Sequence, residues 1–153
     1  MFPSIILTAA LLVPTVSPDV TVPVVAGKHW AIQTGVRDSL YTGEFYEPSL
    51  ETKRKCIVKR ESNGHYFSTN RRGNYFGAYQ MTPALAVGAG WMMRKELRYM
   101  YGKEQGTRIA RELRATPAHK WHRFYQDMAF YTIANWKGTG SGLKHWRGGR
   151  FHC

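Results

Sequence analysis

Glu61 is the residue whose neighbours in sequence best fit acid–base chemistry. It ends a segment containing the apolar residues Ile57 and Val58, and it precedes an aromatic, glycine-containing loop over residues 65–80. The next acidic residue after it is Glu96. Acid–base chemistry at this point therefore uses one carboxyl group or recruits a second from a distant part of the chain. The alternative is an ordinary helix-surface salt bridge to Lys53, Arg54, Arg60 or Lys95.

The segment before Glu61 has the pattern of a helix. Ser49 is a favourable N-cap residue, Glu51 places an acid in the first turn, and Gly64 ends the helix. The apolar side is supplied by Leu50, Cys56, Ile57 and Val58. We therefore predict a helix from Ser49 to about Gly64, with Glu61 in its last turn.

The spacing of this helix also places the Glu61 side chain. Ile57 and Glu61 are one helical turn apart, so we expect the carboxyl group beside the buried stripe. Lys53 and Arg54 then lie on the other, exposed side. Partial burial favours the protonated carboxyl group, which is the form a general acid needs.

The loop after Glu61 combines aromatic rings with turn residues. Its rings are Tyr66, Phe67, Tyr75, Phe76 and Tyr79. Gly73 and Gly77 allow tight backbone turns. We predict a short hairpin around Arg72-Gly73-Asn74.

Helical patterns occupy most of the chain after this loop. Thr82 followed by Pro83 predicts a helix running to Tyr101 and ending at Gly102. A shorter helix is expected over residues 104–114. Thr116-Pro117 repeats the start signal, and residues 117–136 are apolar nearly all round, so we predict that this longest helix is central. The fold class expected is mainly α, or α+β with one small hairpin.

The length of 153 residues predicts one domain, with two segments before it. Residues 1–27 contain the apolar run Ile5–Val13, which is too short to span a bilayer and is not preceded by Lys or Arg. This segment is either a secretory signal or an extended tail. Residues 28–48 are expected to form an irregular arm, and residues 49–153 the folded domain.

The chain is strongly basic, with 22 Lys and Arg against 10 Asp and Glu and a formal net charge of +12. Such a charge predicts attraction to polyanions, either nucleic acid or the anionic polymers and membranes of a bacterial envelope. The basic residues are spread over every segment after Lys28 rather than forming one helical stripe, and no nucleic-acid motif occurs. We therefore expect no specific nucleic-acid partner.

The two cysteines, Cys56 and Cys153, are too far apart for a CxxC unit, and no His/Cys cluster surrounds them. We expect a disulfide that ties residue 153 to the Glu61 helix, and hence an oxidising compartment. The alternative is two unrelated thiols. The six histidines are scattered, so we expect no metal site and no cofactor.

The order of motifs resembles the lysozyme-like lytic transglycosylases. It comprises Glu61-Ser62 at a helix end, an Asn-bearing loop, Gly77-Ala78-Tyr79-Gln80, and a Thr-Pro helix start. The chain looks most similar to the transglycosylase-like domain of resuscitation-promoting factors and related phage lysins. Ala134-Asn135-Trp136, followed by glycines, is similar to a helix end in the longer transglycosylases. The resemblance covers about residues 49–146.

The resemblance implies a helical domain and a small hairpin lobe flanking a cleft, and cleavage of peptidoglycan glycan strands. Glu61 is then the catalytic acid and base, and the product carries a 1,6-anhydro ring. The substrate-binding residues implied are Ser62, Asn70, Tyr75, Phe76, Tyr79, Gln80 and Trp136. The expected partners are peptidoglycan strands and anionic wall polymers, and the expected protein is a monomer, secreted to the cell envelope or associated with a phage virion.

Two departures from the family pattern are visible. Cys56 lies five residues before the acid rather than directly before it. Ala134 stands where the longer enzymes have Tyr, and Tyr131, one turn earlier, is the residue expected to replace it in orienting the acid.

The sequence leaves open a muramidase-type hydrolase on the same substrate, and a non-catalytic module that binds cell wall or nucleic acid.

Overall fold

Over its described residues, the protein is mainly helical and contains one two-stranded sheet. The structure is a computed structural model that describes Val25, residues 34–148 and residues 152–153. Its regular elements are α1 (Glu51–Ser62), β1 (Thr69–Asn70), β2 (Tyr75–Phe76), α2 (Pro83–Tyr101), α3 (Lys103–Ala115) and α4 (Arg123–Asn135). Short 3₁₀ helices occupy Pro48–Leu50, Ala118–Lys120 and Ser141–Trp146. Apart from Val25, the signal-like segment predicted over residues 1–27 lies outside the described residues.

Helices α2 and α3 form an antiparallel pair; the sequence predicts the bounds of α2, and those of α3 to within one residue at each end. The Thr82 hydroxyl oxygen accepts a hydrogen bond from the Leu85 amide at 3.2 Å, which caps the start of α2. Gly102 then reverses the chain with a φ of 86°, in the left-handed region. In the described part of the chain, no helix has the length and apolar character needed to cross a bilayer.

Helix α4 is the central element of the core. Every residue from Tyr125 to Ala134 is buried. Phe130 of α4 stacks on Tyr79 at 5.0 Å between ring centroids and contacts Trp146 at 4.9 Å. This helix therefore joins the loop after the hairpin to the C-terminal segment.

The prediction of one continuous helix over residues 117–136 is wrong. The chain is extended at Trp121 and His122, and α4 begins at Arg123, so α2 is the longest helix. The break is fixed by side chains: the Trp121 indole donates to the Thr116 carbonyl at 2.7 Å, and Gln126 Nε2 donates to the Trp121 carbonyl at 3.1 Å.

The start of α1 also differs from the prediction. Ser49 does not cap it, because residues 48–50 form a 3₁₀ turn in which the Glu47 carboxylate accepts from the Ser49 amide at 3.1 Å. Leu50 occupies the N-cap position of α1 without a side-chain hydrogen bond. The predicted helix end holds, since Asn63 adopts the left-handed conformation directly after Ser62.

Arg54 lies on the buried side of α1, which contradicts its predicted exposure. Its guanidinium is fully buried and pairs with Glu51 at 2.7 Å and with Asp127 of α4 at 3.4 Å. Lys53 is exposed, as expected. A charged residue can occupy a core position when carboxylates and hydroxyls satisfy it, and one of these partners, Asp127, is 73 positions away in sequence.

The hairpin and the disulfide are both present. Strands β1 and β2 pair antiparallel, with Thr69 opposite Phe76 and Asn70 opposite Tyr75. Cys56 and Cys153 form a disulfide with a Cα–Cα distance of 5.7 Å. Cys56 itself is exposed, so the bond holds residue 153 against the surface of α1 rather than in the core.

Candidate functional site

Glu61 lies in the last turn of α1, where its side chain is 24% exposed. Its Oε1 accepts two hydrogen bonds from Arg60, from Nε at 3.0 Å and from Nη2 at 2.7 Å. Among the described residues, Oε2 has no hydrogen-bond partner. The site is therefore a partly buried carboxylate with one oxygen held by its neighbour and the other without a hydrogen bond in this part of the chain.

Arg60 connects this carboxylate to the C-terminal segment. Its Nη2 also donates to the Trp146 carbonyl, and the Trp146 indole donates to the Tyr79 carbonyl at 2.8 Å. The guanidinium is largely buried. Arg60 was one of the salt-bridge partners that the sequence left open for Glu61, whereas its contact with Trp146, 86 residues away, carried no sequence signal.

Two of the predicted polar binding residues make local hydrogen bonds. The buried Ser62 hydroxyl donates to the Val58 carbonyl one turn earlier, at 3.1 Å. The exposed Asn70 side chain accepts from the Gly73 amide at 3.2 Å and closes the hairpin turn. Asn70 thus lies at the surface of the hairpin, whereas the hydroxyl of Ser62 is engaged within its own helix.

Three of the four aromatic residues predicted to bind substrate lie in the loop before α2, and they differ in exposure. Tyr75 is 41% exposed. Phe76 is partly buried and stacks on His119 at 5.2 Å. Tyr79 is fully buried, and its hydroxyl donates to Asp127 at 2.6 Å, so its ring does not line a surface groove. The prediction for Tyr79 fails because its hydroxyl has a buried acceptor on α4.

Gln80 has a structural role in the loop before α2. Its backbone has a φ of 47°, and its Nε2 donates to the Gly77 carbonyl at 2.9 Å. Gln126 of α4, which the sequence analysis did not identify, fixes the same loop: its Oε1 accepts from the Ala78 amide at 2.8 Å. A Cβ at Gly77 would lie 2.4 Å from that oxygen, so glycine is required there.

The contacts of Trp136 and Tyr131 described here do not include Glu61. Trp136 is 44% exposed, packs on Phe45 at 5.4 Å, and lines a cavity of about 360 Å³ that Glu61 does not border. The Tyr131 hydroxyl donates to Glu51. The expectation that Tyr131 orients the catalytic acid is therefore wrong, because that hydroxyl is already committed to another carboxylate.

A buried polar network around Asp127 joins α1, α4 and the loop before α2. Asp127 Oδ1 accepts from the hydroxyls of Tyr66 at 2.5 Å and Tyr79 at 2.6 Å, and Oδ2 accepts from the Leu40 amide at 3.0 Å. Burial, reinforced by the Asp127 charge, raises the pKa of both tyrosines well above the ordinary value. They remain protonated donors, and the network is inaccessible to solvent.

The other buried acids of the described chain are similarly engaged. Glu96 accepts from the Tyr41 hydroxyl at 2.8 Å and from the Glu44 amide at 2.7 Å. Glu51 accepts from Arg54 and the Ser39 amide. Unlike Glu96 and Glu51, Glu61 keeps one carboxylate oxygen without a hydrogen bond within the described residues. No protein-family model, curated protein or solved structure matches this chain.

Proposed function

We propose that the protein cleaves peptidoglycan glycan strands as a lytic transglycosylase, with Glu61 as the one catalytic carboxyl group. The observation that carries this proposal is the environment of Glu61: a partly buried carboxylate at the end of α1, which the hairpin follows in sequence. Glu51, Glu96 and Asp127 are each held by internal hydrogen bonds, so none of them is available as a second catalytic group.

A single carboxyl group is sufficient for this reaction. Ordinary glycoside hydrolysis uses two carboxyl groups about 5 to 9.5 Å apart. In the transglycosylase reaction, protonated Glu61 gives its proton to the glycosidic oxygen as the bond to the anomeric carbon breaks. The resulting carboxylate takes the proton of the sugar's 6-hydroxyl, whose oxygen bonds to the same carbon. The carboxyl group ends protonated, and no water is consumed.

Arg60 suits this cycle as a positioning residue. Its guanidinium holds Glu61 Oε1, which leaves Oε2 to exchange the proton. Because Arg60 also donates to the Trp146 carbonyl, the position of the pair depends on the C-terminal segment. In this proposal Tyr75, with its exposed ring, and Asn70, at the hairpin, contact the glycan.

The disulfide supports the location that this substrate requires. Structural disulfides persist outside the reducing cytosol. Peptidoglycan lies there, so we propose a secreted or envelope protein, or one carried by a phage particle. The positive charge of the chain favours association with the anionic wall.

Digestion of purified peptidoglycan tests the proposal. Wild type should release muropeptides with anhydro ends, and Glu61→Gln should release none, since the amide is isosteric but cannot donate a proton as an acid. Glu104→Gln, at an exposed position on α3, removes the same charge and should cleave like wild type. Equal cleavage by wild type and Glu61→Gln would exclude Glu61 as the catalyst.

A non-catalytic wall-binding domain is the second candidate. The ion pair between Glu61 and Arg60 favours it, because a structural ion pair explains an acidic residue at position 61 without a catalytic role. Pelleting with peptidoglycan without release of muropeptides, for wild type and Glu61→Gln alike, would identify a binder.

A further inference from the structure

The outward side of α2 carries a row of cations between two exposed rings. We call it the α2 cationic face; its residues are Trp91, Arg94, Lys95, Arg98 and Tyr99 of α2, with Lys103 at the start of α3. They line a groove of about 390 Å³. At about 100° per residue, positions 91 to 99 in this set fall on one side of the helix. Trp91 is 56% exposed and Tyr99 is 91% exposed.

The positive charges of this face are not neutralised within the described part of the chain. None of its four Arg and Lys residues forms a salt bridge there. The acid on α2, Glu96, is buried and faces Tyr41 instead. Like charges spaced three or four residues apart on a helix destabilise it. An anionic ligand on this face offsets that cost.

Trp91 is held in place by a residue of α3. The Arg114 guanidinium carbon lies 3.6 Å from the centre of the Trp91 ring, close enough for a cation–π contact. The Arg114 side chain crosses α2 at Gly90, where an added Cβ would lie 2.7 Å from its Cγ. The indole is therefore fixed by packing while more than half of it stays open to solvent.

We propose that the α2 cationic face binds an anionic wall polymer, namely sugars or polyols linked by phosphodiesters and attached to peptidoglycan. The choice of polymer rests on the proposed function. Along α2 the groove runs from residue 91 to residue 99, about 12 Å at 1.5 Å per residue, and Lys103 extends it at the start of α3, which suits an extended chain better than one small anion. Separate cations along it can each meet a phosphate, and the indole offers a flat face to a sugar.

Two other anionic partners fit this face less well. A helix that lies on a bilayer presents a broad apolar side, whereas charged residues stand between the two rings here, and the surface is concave. Single-stranded nucleic acid stacks successive bases on aromatic residues. The rings of Trp91 and Tyr99 are eight residues apart, about 12 Å along the helix, with cations between them.

The test compares binding to peptidoglycan with and without its phosphodiester polymers, which hydrofluoric acid removes. All proteins carry Glu61→Gln, so cleavage does not affect the readout. Arg94→Gln/Arg98→Gln should bind the intact material about tenfold more weakly at low salt, and all proteins should bind the stripped material weakly. The matched control Lys55→Gln/Arg108→Gln removes two cations that already form ion pairs, and it should bind the intact material like the parent.

Equal binding of the parent to intact and stripped peptidoglycan would overturn the proposal, as would equal losses in the two double variants. A single-stranded oligonucleotide and vesicles of anionic lipid serve as competing probes. If Arg94→Gln/Arg98→Gln loses binding to the oligonucleotide or to the vesicles but still binds intact peptidoglycan like the parent, the proposed partner is wrong. In a background with Glu61 intact, Arg94→Gln/Arg98→Gln should cleave stripped peptidoglycan at the wild-type rate, so failure of this proposal and failure of the catalytic one are distinguishable.

Discussion

Arg54 and Asp127 form an ion pair in which both side chains are fully buried, with Nη1 3.4 Å from Oδ1. Arg54 belongs to α1, the helix that carries Glu61, and Asp127 belongs to the central helix α4. The hydroxyls of Tyr66 and Tyr79 donate to the same carboxylate oxygen. The orientation of α1, and with it the position of Glu61, therefore depends on this network.

Replacing Asp127 should destabilise the fold severely. Asp127→Asn leaves the Arg54 guanidinium with less compensating charge in the core, and breaking such a buried pair costs about 3 to 5 kcal/mol of unfolding free energy. Urea unfolding measures the change. Asp38→Asn is the control, since its 2.5 Å pair with Lys55 is exposed, and it should cost less than about 1 kcal/mol. Similar losses in the two variants would contradict the importance of the buried network.

Stability should fall in acid because of Glu51. Partial burial alone raises the pKa of this carboxyl group, but hydrogen bonds from Arg54 and Tyr131 outweigh it and hold the pKa at about 2, against an ordinary 4.5. Because the pKa of Glu51 is lower in the folded than in the unfolded state, the ionised carboxylate stabilises the fold. This contribution is fully present above about pH 4.5 and is lost as the pH falls towards 2.

Comparison with Glu51→Gln tests this pH dependence. The variant should be less stable at neutral pH, and its unfolding free energy should change less between pH 4.5 and 2. Glu112→Gln, at an exposed position, should keep the wild-type slope. Parallel slopes for wild type and Glu51→Gln would show that Glu51 does not cause the acid sensitivity.

The disulfide should contribute substantially to stability. Cys56 and Cys153 are 97 positions apart, and in the chain-entropy model closing such a loop contributes about 4 to 5 kcal/mol. Reductant should therefore lower the urea midpoint of wild type towards that of Cys56→Ser/Cys153→Ser, which itself should not respond to reductant. A wild-type midpoint that reductant leaves unchanged would contradict the prediction.

Gly142 should not tolerate a side chain. A Cβ at this position would lie 1.9 Å from the Ile133 carbonyl oxygen, so Gly142→Ala forces the C-terminal segment away from α4 and should cost about 2 kcal/mol or more. Gly88 is the matched control. Its Cβ would meet nothing within 4 Å, and alanine within a helix should stabilise by about 0.5 to 1 kcal/mol. Thermal unfolding of the two variants should show shifts of opposite sign.

Local signals made part of the fold predictable from sequence. The ends of α2 follow from Thr82, Pro83 and Gly102, because capping and proline geometry act within a few residues. The hairpin around Gly73 is similarly local. The break before α4 was not predictable, since its apolar residues fit a continuous helix and the hydrogen bonds that extend the chain at Trp121 come from tertiary packing.

The position of Glu61 in the last turn of α1 was predictable from sequence, but the partners of the charged residues around it were not. Glu61 was identified from its position before the loop. The buried state of Arg54 depends on Asp127, 73 residues later, and the position of Arg60 depends on Trp146, 86 residues later. Such partners cannot be inferred from helical spacing, because that argument assigns charged side chains to the exposed side of a helix.

Cleavage of peptidoglycan in water enriched with heavy oxygen tests the central claim most directly. If Glu61 alone serves the reaction, the sugar's own hydroxyl closes the ring. The new ends should then be anhydro ends, lighter by one water and without heavy oxygen, and Glu61→Gln should yield none. Reducing ends that carry heavy oxygen would show that water attacks, which would contradict the single-carboxyl mechanism.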